Sequence, residues 1–130
     1  MNYSEIFNDS YDRVKANNHE FLSTFLDIFV SKSDEIKNMF HGVDIEMHKM
    51  KLEESLANLI LFYVSKDPQD VMIEMAESHK NLHNVKPEMY TYFIDAIIEA
   101  LEKVDPRFDK DIAMSWRITL SPGIEFMKNY

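Results

Sequence analysis

The sequence has no cysteine and only two glycines among its 130 residues. The absence of cysteine excludes a disulfide scaffold, a thiolate metal site and a cysteine nucleophile. A sheet protein of this length would need several tight turns, and the chain has neither Asn-Gly turns nor alternating β-branched residues. The length is that of one ordinary domain with its own core, so we expect residues 1–130 to form a single domain.

Long apolar runs and basic stretches are also missing. The longest apolar patch, LANLILFYV, is far shorter than the roughly 20 residues that cross a bilayer. The opening MNYSEIFNDS has no basic region followed by an apolar run, so we expect no signal peptide and a cytoplasmic location. The net charge of −9 and the scattered lysines and arginines disfavour nucleic acid or an anionic membrane surface as partners.

Methionine and aromatic residues are abundant instead: nine Met, nine Phe, six Tyr and one Trp. Such side chains either fill an irregular core or line a pocket for a bulky apolar ligand. Composition alone leaves both interpretations open.

Apolar residues recur at helical spacing throughout the chain. The pattern predicts a first helix marked by Ile6, Phe7 and Val14, followed by helices at 19–31, 34–40, 44–65, 68–83, 87–104 and 108–128. The prolines at 68, 87 and 106 suit first helical turns, and Pro122-Gly123 predicts a kink in the last helix. The sequence therefore predicts an all-α fold of six to seven helices.

The stretch MAESHKNLHNVKPEMY places His79 and His83 four residues apart, on one face of a helix. A di-metal carboxylate site needs Glu-x-x-His pairs, and no histidine here has a glutamate three residues before it. A zinc protease helix needs glutamate after its first histidine, where this chain has Lys80. A zinc pair at these two histidines lacks a predictable third ligand.

His79 rises from an apolar stripe, because Ala76, Met75 and Met72 lie three, four and seven residues before it. The same offsets from His83 give a more polar face. A histidine on an apolar stripe is either a satisfied core residue or the ligand of a large, flat, apolar cofactor. Haem, whose iron accepts one neutral imidazole, is the obvious candidate for such a cofactor.

Three segments resemble the globin family, specifically bacterial single-domain globins and the globin domains of flavohaemoglobins and sensors. FLDIFVSKSDEIKNMF is similar to the second helix and following turn of these proteins. ESHKNLHNVKPEMYTYFIDAIIEAL is similar to the segment of the proximal histidine, corner and next helix, with VKPEMY the closest local match. AMSW fits the start of the last helix. The resemblance implies a globin-like fold enclosing a haem b pocket.

By this resemblance His79 aligns with the proximal iron ligand, with His83 as the alternative. The gap from His79 to VKPEMY is one residue longer than in flavohaemoglobins. Phe40 corresponds to the phenylalanine that wedges the haem, and the alternative is an ordinary core aromatic under a turn.

The resemblance is less specific on the distal side. Bacterial oxygen-binding globins often have a tyrosine where this chain has Leu26. The inward face of the long helix is expected to carry Ile45, His48, Leu52 and Leu56, which would place His48 over the iron and Leu52 beside it. His48 could donate a hydrogen bond to a diatomic ligand, bind the iron directly, or be an exposed polar residue. A register slip would bring Met47 or Lys51 inward instead.

The remaining pocket residues are also expectations from the resemblance. Tyr90, Phe93 and Ile97 would form the wall beside the proximal histidine, while Met75 and Val85 would pad the proximal face. Phe29 would join Leu26 on the second helix. Lys49, Lys51, Lys80 and Lys86 are candidate partners for the haem propionates.

The resemblance implies reversible binding of dioxygen or other diatomic gases, for storage, transfer, sensing or detoxification. One alternative is a haem-free globin-like module for protein–protein signalling, in which His79 is structural. Another is an enzyme, either a nitric oxide dioxygenase served by an external reductase or a weak peroxidase. No flavin or nicotinamide domain follows in this sequence, so a reductase or a signalling partner would be a separate protein.

Overall fold

The chain forms seven α-helices and one π-helical turn in a computed structural model that describes residues 2–130. The helices are α1 (Tyr3–Ala16), α2 (Asn18–Ser31), α3 (Asp34–Met39), α4 (Ile45–Ser65), α5 (Asp70–Glu77), α6 (Pro87–Val104) and α7 (Lys110–Asn129), and the π-helical turn (Ser78–Leu82) continues α5. No strand occurs within this part of the chain. The all-α prediction of six to seven helices is confirmed.

Side chains placed just before four of the helices set where those helices begin. Each accepts hydrogen bonds from free backbone N–H groups of the first turn, as seen at Asn2, Ser33, Asp44 and Asp109. Pro87 occupies the first turn of α6, as predicted. The same prediction is wrong for Pro68 and Pro106, which precede α5 and α7 in the connecting segments. Asp109 explains the second case, because its carboxylate accepts the N–H of Ile112 at 2.8 Å and starts α7 later.

The core forms where α2 packs on α6 and where α4 and α1 pack on α7. The fully buried side chains include Phe21, Phe25, Leu59, Ile97 and Trp116. α7 runs through Pro122 as one helix, and the predicted kink there stays a prediction. No helix within residues 2–130 combines the length and apolarity that crossing a membrane requires.

Gly123 lies where α7 crosses α4. A Cβ atom there would come within 2.6 Å of the Leu59 Cδ2 atom and 3.1 Å of the Met72 Cε atom. The absence of a side chain at this position lets the two helices approach closely, which brings Ile124 and Met127 on α7 toward a cavity beside α4.

A buried polar cluster, here called the Asp105 network, fixes α1 against the α6–α7 connection. Asp105 accepts hydrogen bonds from Ser10 Oγ at 2.7 Å and from Arg13 Nε at 2.8 Å and Nη2 at 3.0 Å. The indole Nε1 of Trp116 donates to Ser10 Oγ at 2.9 Å. No buried side-chain nitrogen or oxygen in residues 2–130 lacks a partner, so the network satisfies its own polar groups.

Candidate functional site

A cavity of about 250 Å³ opens between α2, α4, α6 and the segment that carries the π-helical turn. Close-packed protein interiors rarely contain voids larger than a water molecule. Holding one water takes only about 10–15 Å³ of this kind of volume. The cavity is therefore large enough for a ligand of substantial size.

The structure brings ten of the predicted pocket residues together around this cavity. They come from α2, the α3–α4 connection, α4, α5, the π-helical turn, its connection to α6, and α6: Leu26, Phe29, Phe40, His48, Leu52, Met75, His79, Val85, Tyr90 and Phe93. Ile97 does not line the cavity, so the structure does not support its predicted place in the wall. It lies one turn beyond Phe93 on α6 and is fully buried in the core.

Other residues line the cavity that the sequence did not assign to a pocket. They are Phe25, Ile36, Met39, Ser55, Leu59, Met89, Ile124 and Met127. Ser55 and Leu59 continue the stripe of His48 and Leu52 along α4, and this spacing could have identified them. Ile124 and Met127 belong to α7, which reaches the cavity through tertiary packing that no local motif reports.

His79 lies in the first part of the π-helical turn and lines the cavity. Its Nδ1 atom is 2.7 Å from the backbone carbonyl oxygen of Met75. Because a carbonyl can only accept, Nδ1 carries the hydrogen and donates it. This bond fixes the tautomer and leaves the lone pair of Nε2 available, as in most metal-binding histidines.

The electrostatic surroundings of His79 favour the neutral imidazole. Burial lowers the pKa of His79 below its usual value of 6.5, the hydrogen bond to Met75 opposes this, and the nearby His83 lowers the pKa further. A neutral imidazole is the form that binds metals. Nε2 has no hydrogen-bond partner in residues 2–130 and is not sealed in the core, so it faces open space.

His83, the alternative ligand, also borders the cavity but in a different setting. It is exposed to solvent, and its ring centroid is 6.1 Å from that of His79. The tilted ring of Tyr90 lies 6.4 Å from His79 on the α6 side. His79 is thus enclosed by neighbours and fixed by a hydrogen bond, whereas His83 lies nearer the solvent.

His48 and Phe40 form a contact on the α4 side of the cavity. Their ring centroids are 4.8 Å apart, and His48 is half-buried. Burial lowers the pKa of His48, and the charges of Lys51 and His83 lower it further, against a smaller opposing effect of Asp44. His48 is therefore a neutral imidazole near pH 7, which carries one N–H donor and one lone pair.

Aromatic rings close the side of the cavity formed by α2 and α6. Phe25 stacks on Phe29 at 5.3 Å, and Phe93 meets Phe25 edge-on at 5.3 Å and Phe29 at 5.9 Å. Phe40 meets Phe29 edge-on at 6.0 Å. These offset and edge-on arrangements are the favourable ones for aromatic pairs, so the wall is apolar and closely packed.

The structure distinguishes the four lysines that the sequence left unranked. Lys49 is buried, and its Nζ atom lies 3.2 Å from the Oε1 atom of Glu46. Lys86 is paired with Glu35. Lys80 donates to the backbone oxygen of Tyr130 at 3.1 Å. Lys51 is the one of the four that lines the cavity, and it has no ion pair within residues 2–130.

The residues present fit an iron porphyrin. Such a group needs a neutral imidazole with a free nitrogen, flat apolar walls, and a cation or water for its two carboxylates. His79 supplies the first, the rings of α2 and α6 supply the second, and Lys51 supplies the third. No group of three or more His, Cys, Asp or Glu side chains in residues 2–130 could hold a bare metal ion.

Comparison with known proteins supports the fold. No protein-family model and no curated protein sequence matches the chain. Among solved structures, the chain is similar to the crystal structure of protein PA3967 from Pseudomonas aeruginosa PAO1, described as structurally highly homologous to a human hemoglobin. The two chains are 25% identical, the TM-score is 0.91, and the match covers 99% of this chain and 98% of the other. The protein therefore has a globin-like fold.

Proposed function

We propose that this chain is a single globin domain that binds haem b through His79 and reversibly binds dioxygen or other diatomic gases. The bound haem would supply an iron that accepts an imidazole on one face and a gas on the other. The observation that carries the proposal is the environment of His79, whose Nδ1 donates to Met75 and whose Nε2 is free beside an apolar cavity.

The role of His79 rests on tautomer and orientation. Its hydrogen bond to the Met75 carbonyl holds the ring in one orientation and makes Nε2 the more basic nitrogen. Burial keeps the imidazole unprotonated. His83 is the weaker candidate, because it is exposed and has no hydrogen bond that would fix its ring within residues 2–130.

His48 is the proposed polar group on the distal side. Its half-buried imidazole can donate one hydrogen bond into the cavity, while Leu26 and Leu52 beside it offer no polar group. A hydrogen bond from a neutral donor to a partly charged acceptor is worth roughly 1.5–3 kcal/mol when dry. Because His48 is partly accessible to water, we expect the lower end of that range, about tenfold in affinity.

The apolar wall has a separate role in the proposed function. Phe25, Phe29 and Phe93 exclude water from the inner end of the cavity. Exclusion of water strengthens each electrostatic contact there and keeps the imidazole of His79 neutral. Lys51, at the exposed side, is the proposed partner of a haem propionate.

Haemin titration of the purified protein tests the proposal. One equivalent should produce an intense absorption band in the violet, and after reduction this band should shift with carbon monoxide. His79→Ala should weaken haem binding at least tenfold, as loss of a ligand costs no less than loss of its hydrogen-bonded supports. Added imidazole should restore the spectrum of the His79→Ala protein, because it replaces the missing ligand.

His83→Ala is the matched control, since it removes an imidazole one turn away that also borders the cavity. It should leave the spectrum unchanged. Loss of the band in His83→Ala but not in His79→Ala would transfer the ligand role to His83. A protein that stays colourless with haemin would refute haem binding while leaving the globin-like fold intact.

A further inference from the structure

The charge of the cavity differs from that of the chain as a whole. The sequence carries 23 Asp and Glu against 14 Lys and Arg, yet no carboxylate from residues 2–130 lines the cavity. Its polar lining includes Lys51 and three histidines, His48, His79 and His83. An apolar cavity with a cation and no competing carboxylate is complementary to an anion attached to an apolar body.

Lys51 is placed to receive such an anion. It is exposed, borders the cavity and has no ion pair within residues 2–130. By contrast, Lys49 and Lys86 are held by Glu46 and Glu35. The ammonium of Lys51 is therefore free to pair with a ligand.

The dimension of the cavity along α4 sets the length of the ligand. The exposed Lys51 and the buried Leu59 both line it, and eight residues of α-helix span about 12 Å. An extended chain advances roughly 1.2 Å per bond, because three backbone bonds span 3.3–3.6 Å. A straight chain of about ten carbons would thus reach from Lys51 to Leu59.

We propose that the haem-free protein binds a medium-chain fatty acid of eight to twelve carbons in this cavity. The carboxylate pairs with Lys51, and the acyl chain lies along Leu52 and Leu59 toward Met127 on α7. This ligand class is additional to the proposed gas-binding function and does not depend on it. Haem and a fatty acid both carry carboxylate and apolar groups and would occupy the same cavity, so each would exclude the other.

Calorimetric titration of the full-length, haem-free protein with octanoate, decanoate and dodecanoate, below their aggregation concentrations, tests the proposal. Each buried methylene should raise the affinity about fourfold, so decanoate should bind roughly 15-fold more tightly than octanoate. The gain should shrink beyond dodecanoate, where the chain exceeds the cavity. A gain that continues undiminished to hexadecanoate would indicate surface adsorption and would overturn the assignment.

Changes of charge test the role of Lys51. Decanol, which lacks the carboxylate, should bind more weakly than decanoate. Lys51→Met should lower the affinity for decanoate about three- to tenfold, the range for a partly exposed charged hydrogen bond. Lys51→Arg should restore this affinity. Lys103→Met makes the same charge change on exposed α6 surface outside the cavity and should have no effect. Equal loss in both Met variants, or equal binding of decanol and decanoate, would refute the role of Lys51.

Competition locates the ligand. Decanoate should reduce the apparent affinity of the protein for haemin in proportion to its own saturation, and should do so less in Lys51→Met. Haem binding without any binding of decanoate would refute the fatty-acid proposal alone. Decanoate binding to a protein that does not take up haemin would refute the proposed gas binding and leave this inference standing.

Discussion

Replacement of Asp105 by asparagine should destabilise the protein strongly, because this carboxylate is the centre of the Asp105 network. The Asp105 side chain is 0% exposed, and it takes two hydrogen bonds from Arg13 and one from Ser10. It also accepts the backbone N–H of Arg107 at 3.0 Å. Asparagine keeps the shape of the side chain but has one acceptor oxygen, and its amide hydrogens face other donors.

The size of the expected loss of stability follows from the Arg13 guanidinium, which the substitution leaves without its carboxylate partner. Removing one member of a buried ion pair costs about 3–5 kcal/mol. Arg13 is 24% exposed, so water can partly solvate its guanidinium, and we expect the lower end, about 3 kcal/mol. In a domain of this size that loss should lower the melting temperature by about 10–15 °C.

Urea unfolding followed by circular dichroism at neutral pH measures this loss. Asp95→Asn is the matched control, because Asp95 and Arg117 form an ion pair of the same chemistry at 3.4 Å with side chains 43% and 44% exposed. Exposed pairs contribute little, so the control should lose about 0.5 kcal/mol or less. If Asp105→Asn loses no more than Asp95→Asn, the reasoning from burial is refuted.

Three further predictions concern acid, a helix crossing and the π-helical turn. Burial raises the pKa of Asp105, but the hydrogen bonds from Arg13 and Ser10 outweigh it, and the pKa is lowered overall. The stabilisation by Asp105 should therefore be full above the unfolded pKa of about 3.9 and should disappear as pH falls through the lower folded pKa. Urea titrations from pH 7 to pH 2 should show this as a shrinking difference in unfolding free energy between the unmodified protein and Asp105→Asn. Gly123→Ala should change the stability measured by thermal unfolding very little, because a gain of about 1 kcal/mol in helix propensity offsets the clash with the side-chain ends of Leu59 and Met72. Gly123→Val should lose about 2–3 kcal/mol. A large loss with alanine would mean that the neighbouring side chains cannot move. Deletion of Asn81 should convert the π-helical turn to an α-helical one with little change in melting temperature. Retention of the violet haemin band in this variant would show that His79 keeps its place. Loss of the band would show that the π-helical turn positions the ligand.

Much of the fold could be predicted from the sequence because its helices are amphipathic and capped. The apolar spacing around Phe25 predicted α2, and Asp44 predicted the start of α4 with its first N–H groups satisfied. The starts of α5 and α7 were placed too early, at 68 and 108. Proline tolerates a first turn but does not require one, and the capping side chain of Asp109 determined the start of α7 instead.

The cavity was predictable only in part, for a physical reason. Residues carried by one helix, such as His48 and Leu52, share a face that spacing identifies. Ile124 and Met127 reach the cavity because Gly123 lets α7 approach α4, and such long-range packing leaves no local pattern. The globin resemblance placed Ile97 in the cavity wall with Tyr90 and Phe93, because helical offsets cannot tell where along α6 the cavity ends and the closed core begins.

The π-helical turn offers a structural explanation for the longer gap that the globin resemblance gives between His79 and the VKPEMY segment. A π-helical turn holds one residue more than an α-helical turn. Here the N–H of His83 bonds the carbonyl of Ser78 at 3.1 Å, five residues back. This bond encloses His79, whose ring is held separately by the hydrogen bond from its Nδ1 to the carbonyl of Met75, four residues before it. The ring of His79 is therefore oriented from the α5 side, and the exposed residues that follow it form the rest of the wider turn. Because the contact that orients the imidazole comes from Met75, before the π-helical turn, the longer gap is compatible with the proposed ligand role of His79.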